Sequence, residues 1–334
     1  MAMYRIALDA MGGDNAPQAI VEGAKLALAE FADIAVQLYG PEDVLRPMTE
    51  GVERLEIVHA PDVIGMHDSP MLAVRQKTES SLVKAVMAVR EGAADAVVSA
   101  GSTGALLAGG MLRIGRIRGI ERPALAPVIP GRKKPFLLID CGANVDCQAR
   151  YLQQFGLMGS VYMQSVQGVE QPEVGLANIG AEAEKGDKLT REAYALMSSQ
   201  TAYVFKGNAE VRDVPNGDFD VVVADGFVGN VILKTIEAVA GLIMGMLKDG
   251  MRSSRRAKMG ALMLRTPLRE LKGKMDYKSH GGAPLLGVNG AVVKAHGSSD
   301  ARAIKNAVRQ ARSMLEGNVV EKIRDGLDGL STDN

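Results

Sequence analysis

FDVVVADGFVGNVILK, residues 219–234, decides how the rest of the chain is read. Residues 219–224 form a short, β-branched apolar run, the pattern of a buried strand. Asp225-Gly226 interrupts it, and from Asn230 onward Val231, Ile232, Leu233, Ile236, Val239, Ala240 and Ile243 follow helical spacing. A strand that turns on glycine into a helix leaves unpaired N–H groups aimed at one spot, with the positive end of the helix dipole behind them. The stretch predicts a place to hold an anion, with Asn230 at the helix start either as its cap or as a donor to a ligand.

Working outward, the same unit recurs. Apolar strand-like runs at 5–9, 35–40, 55–60, 95–99, 136–140, 174–179 and 221–224 alternate with helical patterns at 17–32, 70–90, 103–114, 149–164, 189–199 and 230–248. Ser69 before Pro70 has the residue types of a cap followed by a first helical position. Continuously apolar strands alternating with helices predict an α/β fold with a mostly parallel sheet covered on both faces. Ligands in such folds bind beyond the carboxyl ends of the strands. Near the C-terminus, 284–288, Asn289-Gly290 and 291–295 read as a β-hairpin on a type I′ turn. A last helix over about 299–315 and a frayed tail after 325 follow. The expected organisation is a single α/β domain over 1–334 carrying a helical arm at 235–280, with no internal repeat.

Composition narrows the function classes. With 47% hydrophobic and 23% charged residues the chain is of the ordinary globular class, and its zero net charge argues against a nucleic-acid partner. No secretory leader is expected, because residues 1–5 run directly into the strand-like Ile6-Ala7-Leu8. The greasy run 238–247 is too short to span a bilayer, so no integral membrane segment is expected. Cys141 and Cys147 are spaced neither as metal ligands nor as a CxxC pair, and neither has a base paired with it in sequence for thiolate catalysis. No metal or organic cofactor is expected.

Six glycine-bearing junctions carry the chemistry. They are DAMGGDNAP at 9–17, SAGSTGALLAGG at 99–110, DCGANVDC at 140–147, NIGAEAEKGDK at 178–188, the opening stretch, and AHGSS at 295–299. The first offers Asp9, Gly12, Gly13 and Asn15, and the second Gly101, Ser102 and Thr103 at a helix N-terminus. The third offers Asn144, and the last His296, Gly297 and Ser298, with a second helix N-terminus expected at 298–299. GxGxxG, GxxxxGK[ST], HExxH and GxSxG are all absent, so dinucleotide, P-loop, zincin and hydrolase readings lose their best support. Several such turns at strand ends predict a phosphate-bearing substrate. His59 and His67 read as structural or surface residues, and Lys185 sits among Glu182, Glu184 and Asp187.

Residues 248–274 stand apart, with nine basic against two acidic residues in a chain that is neutral overall. Arg252, Arg255, Arg256 and Lys258 interleave with Met259, Leu262 and Met263. That pattern fits a solvated arm or dimer contact, or a docking surface for an acidic protein or an anionic membrane.

Taken together, DAMGGDNAP, SAGSTGALLAGG, GANVDC, NIGAEAEKG, ADGFVGN and LLGVNG followed by HGSS resemble the phosphate acyltransferase family of bacterial phospholipid synthesis, the PlsX type. The similarity runs from residue 6 to about 315. It implies an α/β/α sandwich similar to phosphotransacetylases and isopropylmalate dehydrogenases, with a helical protrusion. It further implies transfer of an acyl group from acyl-(acyl-carrier protein) to inorganic phosphate, giving acyl phosphate, with Lys185 and Asn230 as the catalytic pair. A homodimer, cytoplasmic and peripherally attached to membrane through 248–274, is implied as well. His67 stands where a small or acidic residue is expected, which leaves Arg75, Lys77, Ser80 and Ser81 in pattern. The alternatives are a coenzyme A-dependent phosphate acetyl- or butyryltransferase and a non-catalytic membrane scaffold for lipid enzymes.

Overall fold

A computed structural model describes residues 3–267, 273 and 281–330. Its elements are β1 (Tyr4–Asp9), α1 (Gln18–Glu30), β2 (Ile34–Gly40), α2 (Glu42–Thr49), β3 (Leu55–His59), α3 (Pro70–Gln76), α4 (Ser81–Arg90), β4 (Ala96–Ser99) and α5 (Thr103–Gly109). There follow β5 (Ala124–Leu125), β6 (Val128–Ile129), β7 (Phe136–Ile139), α6 (Ala149–Gln167), β8 (Glu173–Asn178), α7 (Lys188–Ser199), β9 (Val204–Glu210) and β10 (Val221–Val223). The rest is α8 (Gly226–Arg252), α9 (Arg255–Met263), β11 (Ala283–Leu286), β12 (Ala291–Lys294), α10 (Ala301–Glu316) and α11 (Val319–Gly326).

The strands divide between two sheets, ordered β3-β2-β1-β4-β12-β11-β5 and β6-β7-β10-β8-β9. All neighbours are parallel except at β11, which runs against β12 and β5, and at β6, which runs against β7. The expected mostly parallel architecture with helices on both faces is therefore present, built twice. Alternation along a strand shows why each sheet needs two covers. In β1, Ile6 and Leu8 enter the core shared with α1 and α10, whereas Ala7 enters the core under α4 and α5. In the second sheet Leu137, Val221 and Val223 pack against α6, and Phe136, Leu138 and Val222 face Ile232 of α8. The two sheets meet at 124–129, which supplies β5 to one and β6 to the other. Ala126 N donates to Pro284 O on one side, and Leu138 N to Pro127 O on the other.

Several boundaries differ from the sequence reading. The helix expected over 70–90 breaks at Lys77–Ser80, because Ser80 is buried and its hydroxyl caps Val83 N of a new helix. The helix expected over 103–114 becomes a π turn at Gly110–Ile114. The hairpin is present, but neither Asn289 nor Gly290 has a positive φ; Gly287 takes it instead, at 91°. Asn289 is tied elsewhere, its N–H donating to Gly115 O and its amide to Arg116 O. Past residue 325 the chain stays ordered through Leu330, which is buried, while 331–334 lie outside the described residues. Of the basic segment, Leu268, Arg269, Glu270, Lys272 and Lys274 also lie outside them, as does most of 268–280 in the expected arm.

Candidate active site

Both sheets point the carboxyl ends of their parallel strands toward a common cleft. In the larger sheet β1, β4 and β12 are adjacent and end at Asp9, Ser99 and Lys294. The buried Asp9 carboxylate accepts Ser81 Oγ and Ser99 Oγ, each at 2.6 Å. The break between α3 and α4 is what brings Ser81 there. Burial pushes the Asp9 carboxyl above its ordinary range, against the pull of the two serines, the Met11 N–H and the Lys294 charge. Gly12 and Gly101 close over this carboxylate: a Cβ on Gly12 would lie 2.4 Å from Asp9 Oδ2. Gly13, at φ 103°, lets the loop return so that Asp14 N donates to Gly297 O at 2.8 Å and Asn15 Nδ2 to Ser299 O at 3.2 Å.

Lys294 is buried beside this group, its ammonium donating to the carbonyls of Ala100 and Ala295. Burial pulls it down to about 8, with Asp9 and Asp14 opposing. On the next turn His296 Nδ1 is 2.9 Å from Ser298 Oγ, and Ser298 N donates to the same nitrogen. The helix N-terminus expected at 298–299 is not there. Asp300 caps α10 by accepting Ala303 N, and Ser299 N is spent on His296 O.

In the smaller sheet the ends of β7, β10 and β8 lie side by side. Asp140, fully buried after β7, accepts Leu125 N, Ala143 N, Asn144 N and Asn144 Nδ2. These donors favour its charged form, yet burial prevails and pushes it up to about 6. Asn144, expected to meet substrate, instead donates its amide to Pro123 O and Asp140. The carboxylate thus fixes the 140–147 loop against the start of α8.

That start corrects the opening expectation. Asp225, not Asn230, caps α8, its Oδ1 accepting Phe227 N and Val228 N at 2.9 Å each, while Gly226 N donates to Asn144 O. The N–H groups offered to an anion are therefore already satisfied by the protein. Gly226 and Gly229 are needed because α8 lies directly on the 140–144 backbone; a Cβ at Gly229 would sit 1.9 Å from Asp140 O. Gly229→Ala is expected to cost about 3 kcal/mol or more of folding stability, read as a lowered urea midpoint; an unchanged midpoint contradicts this packing. One turn into the helix, Asn230 is carried past the capping groups into the cleft wall, over Gly142.

Between the sheets lies a cleft of about 450 Å³. Its polar end is formed by Asp14, Gly101, Thr103, Lys294, His296, Gly297 and Asn230. Its long wall is apolar, made by Leu125 and the 127–130 stretch on one side and Leu233, Ile236 and Ala240 of α8 on the other. Lys234 and Glu237 of α8, paired at 2.7 Å, also line it. Cys141 reaches this wall, but burial pushes its thiol well up, and Cys147 is pushed up to about 12, so neither is poised as a thiolate.

Of the residues expected at the site, Gly101, Thr103, Asn230, His296 and Gly297 are brought together in the cleft. Asp9, Gly12, Gly13, Asn15, Ser102 and Ser298 form the layer behind them, Ser102 capping α5 through Ala105 N. Lys185 does not line the cleft. It is exposed on the loop after β8, lying over Gly180, with no ion-pair partner among the described residues. That loop and the start of α8 follow adjacent parallel strands, so both belong to one sheet end. His59 is structural, accepting Glu42 N at the start of α2, and His67 is exposed. Lys294 and Asp14 were missed. The available signal was AVVK, a lysine closing an otherwise apolar strand.

Beyond the cleft, α8 continues as an arm with α9. The run 238–247 is not isolated, because α8 is 27 residues long, with a mean hydropathy of 1.6 over its most apolar 18-residue window and only 11% of that window buried. By length and composition it is long enough to cross a membrane, contrary to the sequence expectation. Its two charges near the cleft neutralise each other as the Lys234–Glu237 pair. Leu242, Met246, Met259, Leu262 and Met263 are exposed, Met263 by 86%. Arg252, Arg255, Arg256 and Lys258 are exposed beside them.

Comparison with known proteins adds identity to this geometry. The model of the family described as "fatty acid synthesis protein" matches residues 4–322. A phosphate acyltransferase of Clostridium perfringens (strain SM101 / Type A) is 51% identical over 334 residues, covering 99% of this chain and 98% of its own. One of Clostridium acetobutylicum is 51% identical over 330 residues, covering 98% and 99%. Among solved structures, a phosphotransacetylase from Streptococcus pyogenes superposes with a TM-score of 0.61 at 16% identity, over 94% of each chain. A 4-hydroxythreonine-4-phosphate dehydrogenase from Klebsiella pneumoniae reaches 0.51 at 15%, over 96% and 100%. These last two share the fold.

Proposed function

Because the chain belongs to the phosphate acyltransferase family and is an acyltransferase, we propose that it moves a fatty acyl group from acyl-(acyl-carrier protein) to inorganic phosphate. The observation that carries this reading is the two-ended cleft: a long apolar wall suited to an acyl chain, leading to a polar end suited to a small anion. A phosphate oxygen attacks the thioester carbonyl carbon, and the C–S bond breaks. The proton of hydrogen phosphate ends on the departing thiol, leaving acyl phosphate. A substantial share of inorganic phosphate is dianionic near neutrality, so the protein need only orient it and stabilise the oxyanion. Asn230 donates its amide to the carbonyl oxygen, and Lys185 reaches from the neighbouring strand end to balance the developing charge. The product feeds phospholipid synthesis.

The donor is tested by offering acyl-carrier-protein and coenzyme A thioesters of one acyl group in parallel and measuring phosphate-dependent thiol release. The proposal expects the carrier-protein substrate to be used much more efficiently; a preference for coenzyme A overturns it.

The exposed basic and methionine-rich arm is the docking surface for the acidic carrier and for anionic lipid. Replacing Arg255 and Arg256 by glutamate is expected to raise KM for the carrier substrate about tenfold, the low end of what electrostatic steering contributes. Sedimentation with anionic vesicles is expected to weaken in parallel. Unchanged values in both assays assign the arm a structural role, such as a contact within a homodimer.

A further inference from the structure

Lys294 is an unusual place to keep a charge. It is 8% exposed, and its ammonium has two main-chain carbonyls as partners, Ala100 at 3.3 Å and Ala295. Among the described residues no carboxylate forms an ion pair with it. Asp9, the nearest buried acid, has both oxygens engaged by serine hydroxyls, and Asp14 acts on Lys294 only at longer range. The remaining surroundings do not supply a counter-charge. The buried face of α10 contributes the neutral Asn306 and Gln310, and the Lys234–Glu237 pair across the cleft is internally balanced. A buried cation lacking a close anion is costly unless one arrives. An ammonium has three donors, and two are used.

We propose that Lys294 is the residue that receives phosphate: its third N–H, in the cleft wall beside Gly101, Thr103, His296 and Gly297, bonds a phosphate oxygen and balances its charge. The inference rests on the acyl-transfer reading and deepens it by placing the nucleophile at the ends of β4 and β12. Asn230 lines the same polar end of the cleft. Lys294 binds phosphate, while Lys185 reaches from the neighbouring strand end to the oxyanion.

The pH dependence has a defined sign. In the empty site Lys294 loses its proton at about 8, well below an ordinary lysine, and a bound anion raises that value. The Lys294 contribution to phosphate affinity is therefore full well below pH 8 and falls above it, by about 30-fold at pH 9.5. Phosphate itself only becomes more anionic over that range, so the fall is not its own.

Two measurements test this. Lys294→Met is expected to raise KM for phosphate by about 10- to 100-fold, the worth of one charge-assisted hydrogen bond, with KM for the acyl thioester unchanged. Equal changes in both constants, or a phosphate KM that does not move, overturn the assignment. If that variant does not fold, calorimetric titration of the wild-type protein with inorganic phosphate from pH 7 to 9.5 decides. Affinity that falls above pH 8 supports Lys294, and affinity that stays flat, or no binding at all, overturns it. Absence of phosphate-dependent thiol release by the wild type would instead remove the acyl-transfer reading, which the binding titration does not rely on.

Discussion

Replacing Asn230 by alanine is expected to leave a folded protein whose turnover falls by about 10²–10³, the usual loss when one oxyanion donor is removed. The packing explains why folding survives. The cap of α8 is Asp225, and its first N–H groups are satisfied by Asp225 and Asn144 O, so the helix does not need the Asn230 amide. What alanine removes is a carboxamide held in the cleft wall over Gly142, at the phosphate-suited end of the cleft. The loss belongs in kcat, with KM for phosphate little altered, because the donor is matched to charge that develops only in the transition state. Lys185→Ala is expected to lose as much. Its side chain is exposed at the end of the strand next to β10, and it supports no ion pair among the described residues, so its removal has little structural cost. Near-wild-type turnover in either variant takes that residue out of the mechanism.

Asp9→Ala is expected to act on stability instead, lowering it by roughly 3–5 kcal/mol. The carboxylate is buried, bonds Ser81 and Ser99 at 2.6 Å, and offsets part of the cost of burying Lys294. Alanine strands two hydroxyls and leaves the cation with less compensation. The size of the loss rests on that cation, so a second substitution dissects it. Asp9→Ala combined with Lys294→Met is expected to recover part of the deficit, a coupling readable from four urea titrations as a double-mutant cycle. Strict additivity would mean that the two groups do not interact.

Much of the architecture was legible because buried parallel strands write themselves as apolar runs. IALD before AMGGD, AVVS before AGSTG and FLLI before DCGAN each end where the structure places a site loop. Strands without that signature escaped. VFKGNAE of β9 carries Lys206, Gly207 and Asn208 on an edge, and β5 and β6 have two residues each. The division into two sheets was out of reach because it depends on β12 pairing with β4 from almost two hundred residues away. Asn230 was found, but from a helix start that belongs to Asp225. Lys294 was hidden for the opposite reason: one lysine ending AVVK reads as a solvated strand end until β4 and β11 flank it and it is buried.

The central claim is that the cleft joins an acyl thioester to inorganic phosphate. The most direct test is a phosphorus-31 spectrum of purified wild-type protein incubated with acyl-(acyl-carrier protein) and phosphate. The expected result is a new acyl phosphate resonance growing in step with released carrier thiol and absent when Asn230 is alanine. Thiol released without any phosphorus-containing product, or no release at all, would contradict it.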